Sequence, residues 1–164
     1  MSEIAARKVM QTSLGKVSIT SSEVALTSLE FLPGRSSLKD FSGSPHAKAL
    51  VEDAARQLDE YFRGERRRFD LKLAPTGTKF QQQVWQQIQK IPFGQTISYG
   101  AIAKAIKKPS AARAVGGAVG ANPLAIFIPC HRVMGSTGKL TGYSGGNGIP
   151  TKKKLLALEG IEHR

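Results

Sequence analysis

The chain has 164 residues, enough for one or two small domains with a real core. A hydrophobic content of 40% argues against disorder, the single cysteine excludes a disulfide framework or cysteine-rich zinc site, and no run approaches the ~18 apolar residues of a membrane span. A formal charge of +12 favours a polyanionic partner, and the start of the chain shows no secretory pattern, so a cytoplasmic location is the expectation.

Leu14 to Thr20 and Val24 to Leu32 alternate apolar and polar residues and read as a hairpin or meander. The period becomes helical from Pro45 to Phe62, with Leu50, Val51, Ala54, Leu58, Tyr61 and Phe62 on one face and Gly64 as a stop. His46 sits near that helix start and reads as a cap or surface residue, and Glu65 to Arg68 as a solvated charge run, with a secondary anion contact as the alternative. Phe69, Leu71 and Leu73 alternate as a further strand. Ala74-Pro75-Thr76-Gly77-Thr78 breaks both periods, which divides the chain into a domain over 1–74, a linker over 75–78 and a domain over 79–164.

Thr78 is a cap for a helix with Phe80, Val84, Trp85 and Ile88 inward, ended by Ile91-Pro92-Phe93-Gly94. Ser98 caps a short helix carrying Tyr99, Ile102 and Ala103, and Ser110 a second one running to Ala121. Two short helices with a tight basic turn between them form a helix-turn-helix candidate. The second helix holds Gly116, Gly117 and Gly120, each costing ~1 kcal/mol against alanine. Such a thin surface suits close approach, either to a neighbouring helix or to a nucleic-acid groove. Arg113, near its start, is the side chain best placed to touch a duplex.

Leu124 to Ile128 reads as a buried strand ending at Pro129. Cys130 follows, directly beside His131 and Arg132, and a thiolate forms more readily next to a base or a positive charge. A buried structural thiol is the plain alternative, but charged neighbours rarely accompany an inert one. Thr141 to Gly148 is a glycine-rich loop, and Thr151 caps a final helix with Leu155, Leu156 and Leu158 inward. Glu159 lies at its end, where the helix dipole disfavours a carboxylate; a plain surface charge is the default reading, and a partner such as a histidine the alternative.

From Gly77 to about Gly160 the chain resembles the O(6)-alkylguanine-DNA alkyltransferases, through Ile91-Pro92-Phe93-Gly94-Gln95-Thr96, Ser98-Tyr99, Arg113-Ala114-Val115-Gly116-Gly117, Asn122-Pro123, Ile128-Pro129-Cys130-His131-Arg132-Val133, Tyr143-Ser144-Gly145-Gly146 and Leu158-Glu159-Gly160 in that order. The resemblance implies a mixed α/β (α+β) fold. A small ribonuclease H-like sheet-plus-helix domain would precede a mostly helical domain with a helix-turn-helix. It implies one-step repair, with Cys130 taking the alkyl group from O6 of a flipped guanine, His131 as base through water and Glu159 orienting His131. Tyr99 would serve N3 of the base, and Asn122 would tie the recognition helix to the acceptor segment. The backbones of Cys130, Val133 and Ser144 would contact the base, and Tyr143 would wall the alkyl side. Ser98, Arg113, Ala114, Gly116, Gly117, Gly120 and Arg132 would meet DNA, through the minor groove, with Arg113 filling the vacated stack. The implied partner is double-stranded DNA holding O6-alkylguanine, engaged by a monomer without a cofactor, a structural metal or a membrane. The alkylated product is expected to be less stable, through overpacking worth ~1–3 kcal/mol. Two rival readings are a helix-turn-helix lesion-binding protein without chemistry, and a cysteine hydrolase using Cys130 and His131.

Overall fold

A computed structural model describes residues 4–163. The chain divides into two compact units, the first ending at Thr76 and the second beginning at Gly77.

The first unit is an antiparallel sheet carrying one long helix. Strands β1 (Ala6–Thr12), β2 (Gly15–Ser21), β3 (Leu26–Phe31) and β4 (Phe41–Ser42) lie in the order β3-β2-β1-β4. Thr12 pairs with Gly15, so Ser13 and Leu14 form a two-residue turn, and Gly15 takes a φ of 118° that a side chain would resist. The expected hairpin is therefore the second of two, and Leu14 belongs to the turn instead of a strand. Helix α1 (Pro45–Phe62) packs on β1 and β2 and buries Val51, Ala54, Leu58 and Tyr61 against Val17 and Ile19. Ser44 caps it by accepting from the Ala47 N–H, and Gly64 at φ 76° lets the chain leave. His46 is exposed.

The expected strand over Phe69–Leu73 does not form. Leu73 makes one isolated bridge to Leu26, and the backbone at Asp70 is satisfied by the Gln57 side chain, which accepts from its N–H at 2.9 Å and donates to its carbonyl at 3.1 Å. A helix side chain thus supplies what a strand neighbour would have supplied.

The second unit is helical. Helix α2 (Lys79–Gln89) starts with a capping box between Thr78 and Gln81 and buries Val84, Trp85 and Ile88. Strand β5 (Ile97–Ser98) runs straight into α3 (Tyr99–Ala105), capped by Ser98. Residues 106–111 lead to α4 (Ala112–Gly120), which packs on α2 and α3. Ser110 does not cap α4. Lys107 turns left-handed at φ 63°, the Lys108 N–H bonds the Ala103 carbonyl to close α3, and the N-cap position falls on Ala111, which offers no side-chain acceptor. The Trp85 indole donates to the Ala118 carbonyl at 2.8 Å and fastens α2 to α4.

Leu124 to Ile128 is buried as expected, but as a tight turn and not a strand. Ile126 has a φ of 72°, and the Ile128 N–H bonds the Leu124 carbonyl. Cys130–Arg132 forms a single 3-10 turn, and strand β6 (Val133–Met134) follows it. β6 pairs in parallel with β5, Ile97 opposite Val133 and Ser98 opposite Met134. This two-rung ladder brings the start of α3 alongside the cysteine turn. Helix α5 (Ile149–Leu158) is capped at Gly148, with Pro150 in its first turn, three residues before the expected cap Thr151. Thr151 braces the preceding loop instead, its hydroxyl accepting from the Asn147 N–H at 2.8 Å. Among the described residues no helix is long and apolar enough to cross a membrane.

Candidate functional site

Cys130, 4% exposed, forms part of the wall of a cavity of about 380 Å³. The β5–β6 ladder delivers Tyr99 to that cavity, α4 contributes Gly116, Val119 and Gly120, and the glycine-rich loop contributes Gly142, Tyr143 and Ser144. The Tyr99 and Thr141 hydroxyls are 2.9 Å apart, and the Ser144 hydroxyl donates to the Gly120 carbonyl at 3.0 Å. Six of the expected site residues, Tyr99, Gly116, Gly120, Cys130, Tyr143 and Ser144, therefore share one cavity.

Behind the sulfur lies a buried polar chain. His131 Nε2 is 2.6 Å from Glu159 Oε2, both side chains fully buried. Burial drives the His131 pKa below its ordinary value, against the pull of the Glu159 carboxylate, so the ring is neutral near pH 7. With a proton on Nε2 facing the carboxylate, Nδ1 is the basic nitrogen, and among the described residues it has no hydrogen-bond partner. Arg132 donates to the same carboxylate through Nε at 2.7 Å and Nη2 at 3.0 Å, and through Nη1 to the Ile91 carbonyl at 2.6 Å. Arg132 was expected on the DNA. It is instead buried, and its guanidinium is committed to Glu159 and Ile91. Glu159 also faces the Gly94 N–H at 3.4 Å.

Burial pushes the Cys130 thiol pKa up, while hydrogen bonds from the Asn122 and Tyr143 side chains and the charge of Lys152 pull it back. Asn122 is fixed first: its amide donates to the Ile128 carbonyl at 2.8 Å and accepts from the Leu124 N–H at 2.9 Å. It stands between the end of α4 and the cysteine turn. The Val133 carbonyl accepts from Lys152 Nζ at 2.7 Å. Lys152 is 1% exposed, and burial lowers its pKa to about 8. Sequence reasoning missed it, because it opens a run of three lysines whose other two members are exposed.

On the outer side of α4, Arg113, Ala114, Gly117 and Gly120 are exposed. A Cβ built on Gly117 or Gly120 meets nothing within 4 Å, so close helix packing does not explain these glycines. Ser98 is half-buried with its hydroxyl accepting from the Ala101 N–H. Among the described residues no group of His, Cys, Asp and Glu has the makings of a metal site.

Residues 79–161 match the family described as 6-O-methylguanine DNA methyltransferase, DNA binding domain, and residues 6–75 match its ribonuclease-like domain. The methylated-DNA–protein-cysteine methyltransferase of Methanosarcina acetivorans is 43% identical over 93% of this chain and 96% of that protein. Its counterpart in Methanosarcina barkeri is 46% identical over 92% of this chain and 94% of that protein. The crystal structure of Mycobacterium tuberculosis OGT in complex with DNA superposes with a TM-score of 0.81 at 44% identity, covering 93% of this chain and 91% of that one. Both units are matched, nearly end to end, and on these grounds the chain belongs to the 6-O-methylguanine DNA methyltransferase family.

Proposed function

We propose that this protein repairs O6-alkylguanine in duplex DNA by moving the alkyl group onto Cys130, once per molecule. The observation that carries the reading is the position of Cys130: it is the only cysteine, and it lies in a cavity rimmed by the bare glycine edge of α4. An exposed edge without side chains lets a duplex approach, and a cavity of about 380 Å³ has room for an extruded base. The α3–α4 pair acts as a helix-turn-helix reading the minor groove, with Arg113 filling the vacated stack. Residues 79–164 form the DNA-binding and acceptor domain, joined through 75–78 to the domain over 1–74. The protein works as a monomer in the cytoplasm.

The chemistry follows from the buried chain. His131 Nδ1 takes the thiol proton through water, and Glu159, held by Arg132, steadies the imidazolium that results. Sulfur attacks the alkyl carbon in line as its bond to O6 breaks. Tyr99 delivers a proton to N3 of the departing guanine, and His131 returns one to restore Tyr99. The net change is one alkyl group gained by sulfur and one proton gained by guanine. Backbone groups of Cys130, Val133 and Ser144 hold the base edge, and Tyr143 bounds the alkyl side. Contacts are mostly to phosphate and sugar, so binding is weakly sequence-specific and salt-sensitive.

The test is incubation with duplex DNA carrying one radiolabelled O6-methylguanine. Label should appear on protein up to one equivalent, and Cys130→Ala should abolish transfer while retaining DNA binding. Binding without transfer by the unaltered protein would refute the proposal in favour of a lesion-binding role.

A further inference from the structure

We propose that Lys152 is a positioning residue for the sulfur chemistry: its ammonium, pinned to the Val133 carbonyl, supplies the positive charge that lets the buried Cys130 sulfur carry a negative one. The inference rests on Cys130 being the acceptor. Four observations support it.

Lys152 is 1% exposed, and its Nζ donates to the Val133 carbonyl at 2.7 Å, in the residue that follows the cysteine turn. Among the described residues it makes no ion pair with a carboxylate, whereas Arg132, the other buried cation, is matched by Glu159. A buried ammonium without a carboxylate is unfavourable for folding alone. Helix α5 compounds this: Lys152, Leu155, Leu156 and Glu159 share one inward stripe. The lysine lies in the positive first turn and the carboxylate at the negative end, both opposed by the helix dipole. Each reversal is explained if the site requires that charge there.

The groups around the sulfur leave that part to Lys152. Asn122 and Tyr143 offer hydrogen bonds without charge, His131 is neutral, and the Arg132 charge faces Glu159. Tyr99, on the cavity wall, brings a hydroxyl paired with Thr141. Lys152 and Cys130 are electrostatically coupled in both directions, each favouring the charged form of the other.

The test measures alkylation of the folded protein by iodoacetamide across pH 6–11, in wild type, Lys152→Met and Lys152→Gln, the displacement of the rate profile being read on its rising limb. Glutamine keeps a donor for the Val133 carbonyl but no charge. Both variants should titrate Cys130 with a midpoint about one unit higher, so that the rate at pH 7 drops about tenfold. A lysine serving the fold alone would change the melting temperature and leave the midpoint in place, and that result overturns the proposal. Where Met proves too disruptive to fold, Gln decides. The same coupling is readable without substitution: blocking Cys130 as its methyl thioether should lower the Lys152 titration midpoint followed by lysine Cε NMR, and an unmoved midpoint also overturns it. Iodoacetamide needs no alkylguanine, so failure of transfer from DNA would sink the functional reading while leaving the Lys152 result to stand or fall alone.

Discussion

Glu159→Gln should destabilise the second unit far more than a typical surface change. The substitution keeps shape but removes the charge that faces His131 Nε2 at 2.6 Å and two Arg132 nitrogens at 2.7 and 3.0 Å. It leaves Arg132 buried and unmatched, and breaking a buried ion pair from one side costs ~3–5 kcal/mol. Against a typical total of ~5–15 kcal/mol, that leaves the unit marginal. Arg132→Met should cost a similar amount, since it strands the carboxylate and frees the Ile91 carbonyl. The double variant removes both charges, so it should be at least ~2 kcal/mol more stable than the sum of the two losses implies. The assay is urea unfolding followed by fluorescence of Trp85, the only tryptophan, which is 1% exposed within the second unit and so reports on it. A single-variant loss below ~1 kcal/mol, or additive losses in the double variant, would refute this account of the buried chain. Transfer rates of Glu159→Gln then bear on catalysis only for protein shown to be folded.

Gly117→Ala and Gly120→Ala meet open space, so each should stabilise α4 by ~0.5–1 kcal/mol while weakening duplex binding; unchanged affinity would remove the groove-facing role. Because burial holds the His131 pKa below about 6.5, the unfolded chain binds a proton there that the folded chain does not. Stability is therefore full above that pH and lost progressively as pH falls below about 6.5, and His131→Phe should flatten that part of the urea-midpoint profile. Arg113→Ala should slow repair in duplex DNA much more than reaction with a free alkylated guanine, and equal losses would discard its stacking role. The S-methylated protein should melt lower than the free form. A cavity beside the sulfur leaves room for a methyl group, so the cause shifts from overpacking to the lost hydrogen bonds with Asn122 and Tyr143, and equal melting temperatures would count against it.

Periodicity located the helices because their buried stripes repeat in sequence. Pro45 to Phe62 was legible in full, whereas Glu159, at the wrong end of a helix dipole, allowed a partner without excluding a plain surface charge. Strand β1 was not legible: Arg7, Lys8 and Gln11 interrupt its apolar alternation, and its place comes from strands on both sides. Leu124 to Ile128 shows why an apolar run reports burial and not conformation, since the left-handed Ile126 leaves no trace in composition. Arg132 and Lys152 were hidden for a common reason. A cation is solvated by default, and only the fold reveals a carboxylate or carbonyl set to receive it.

The Ser144 hydroxyl hangs the glycine-rich loop from the last carbonyl of α4. On the proposed function, the wall beside the alkyl group and the helix that meets the duplex are thus joined directly. On that reading, a change that loosened the loop to admit bulkier adducts would also disturb the hold on DNA, so tolerance and grip would be inherited together.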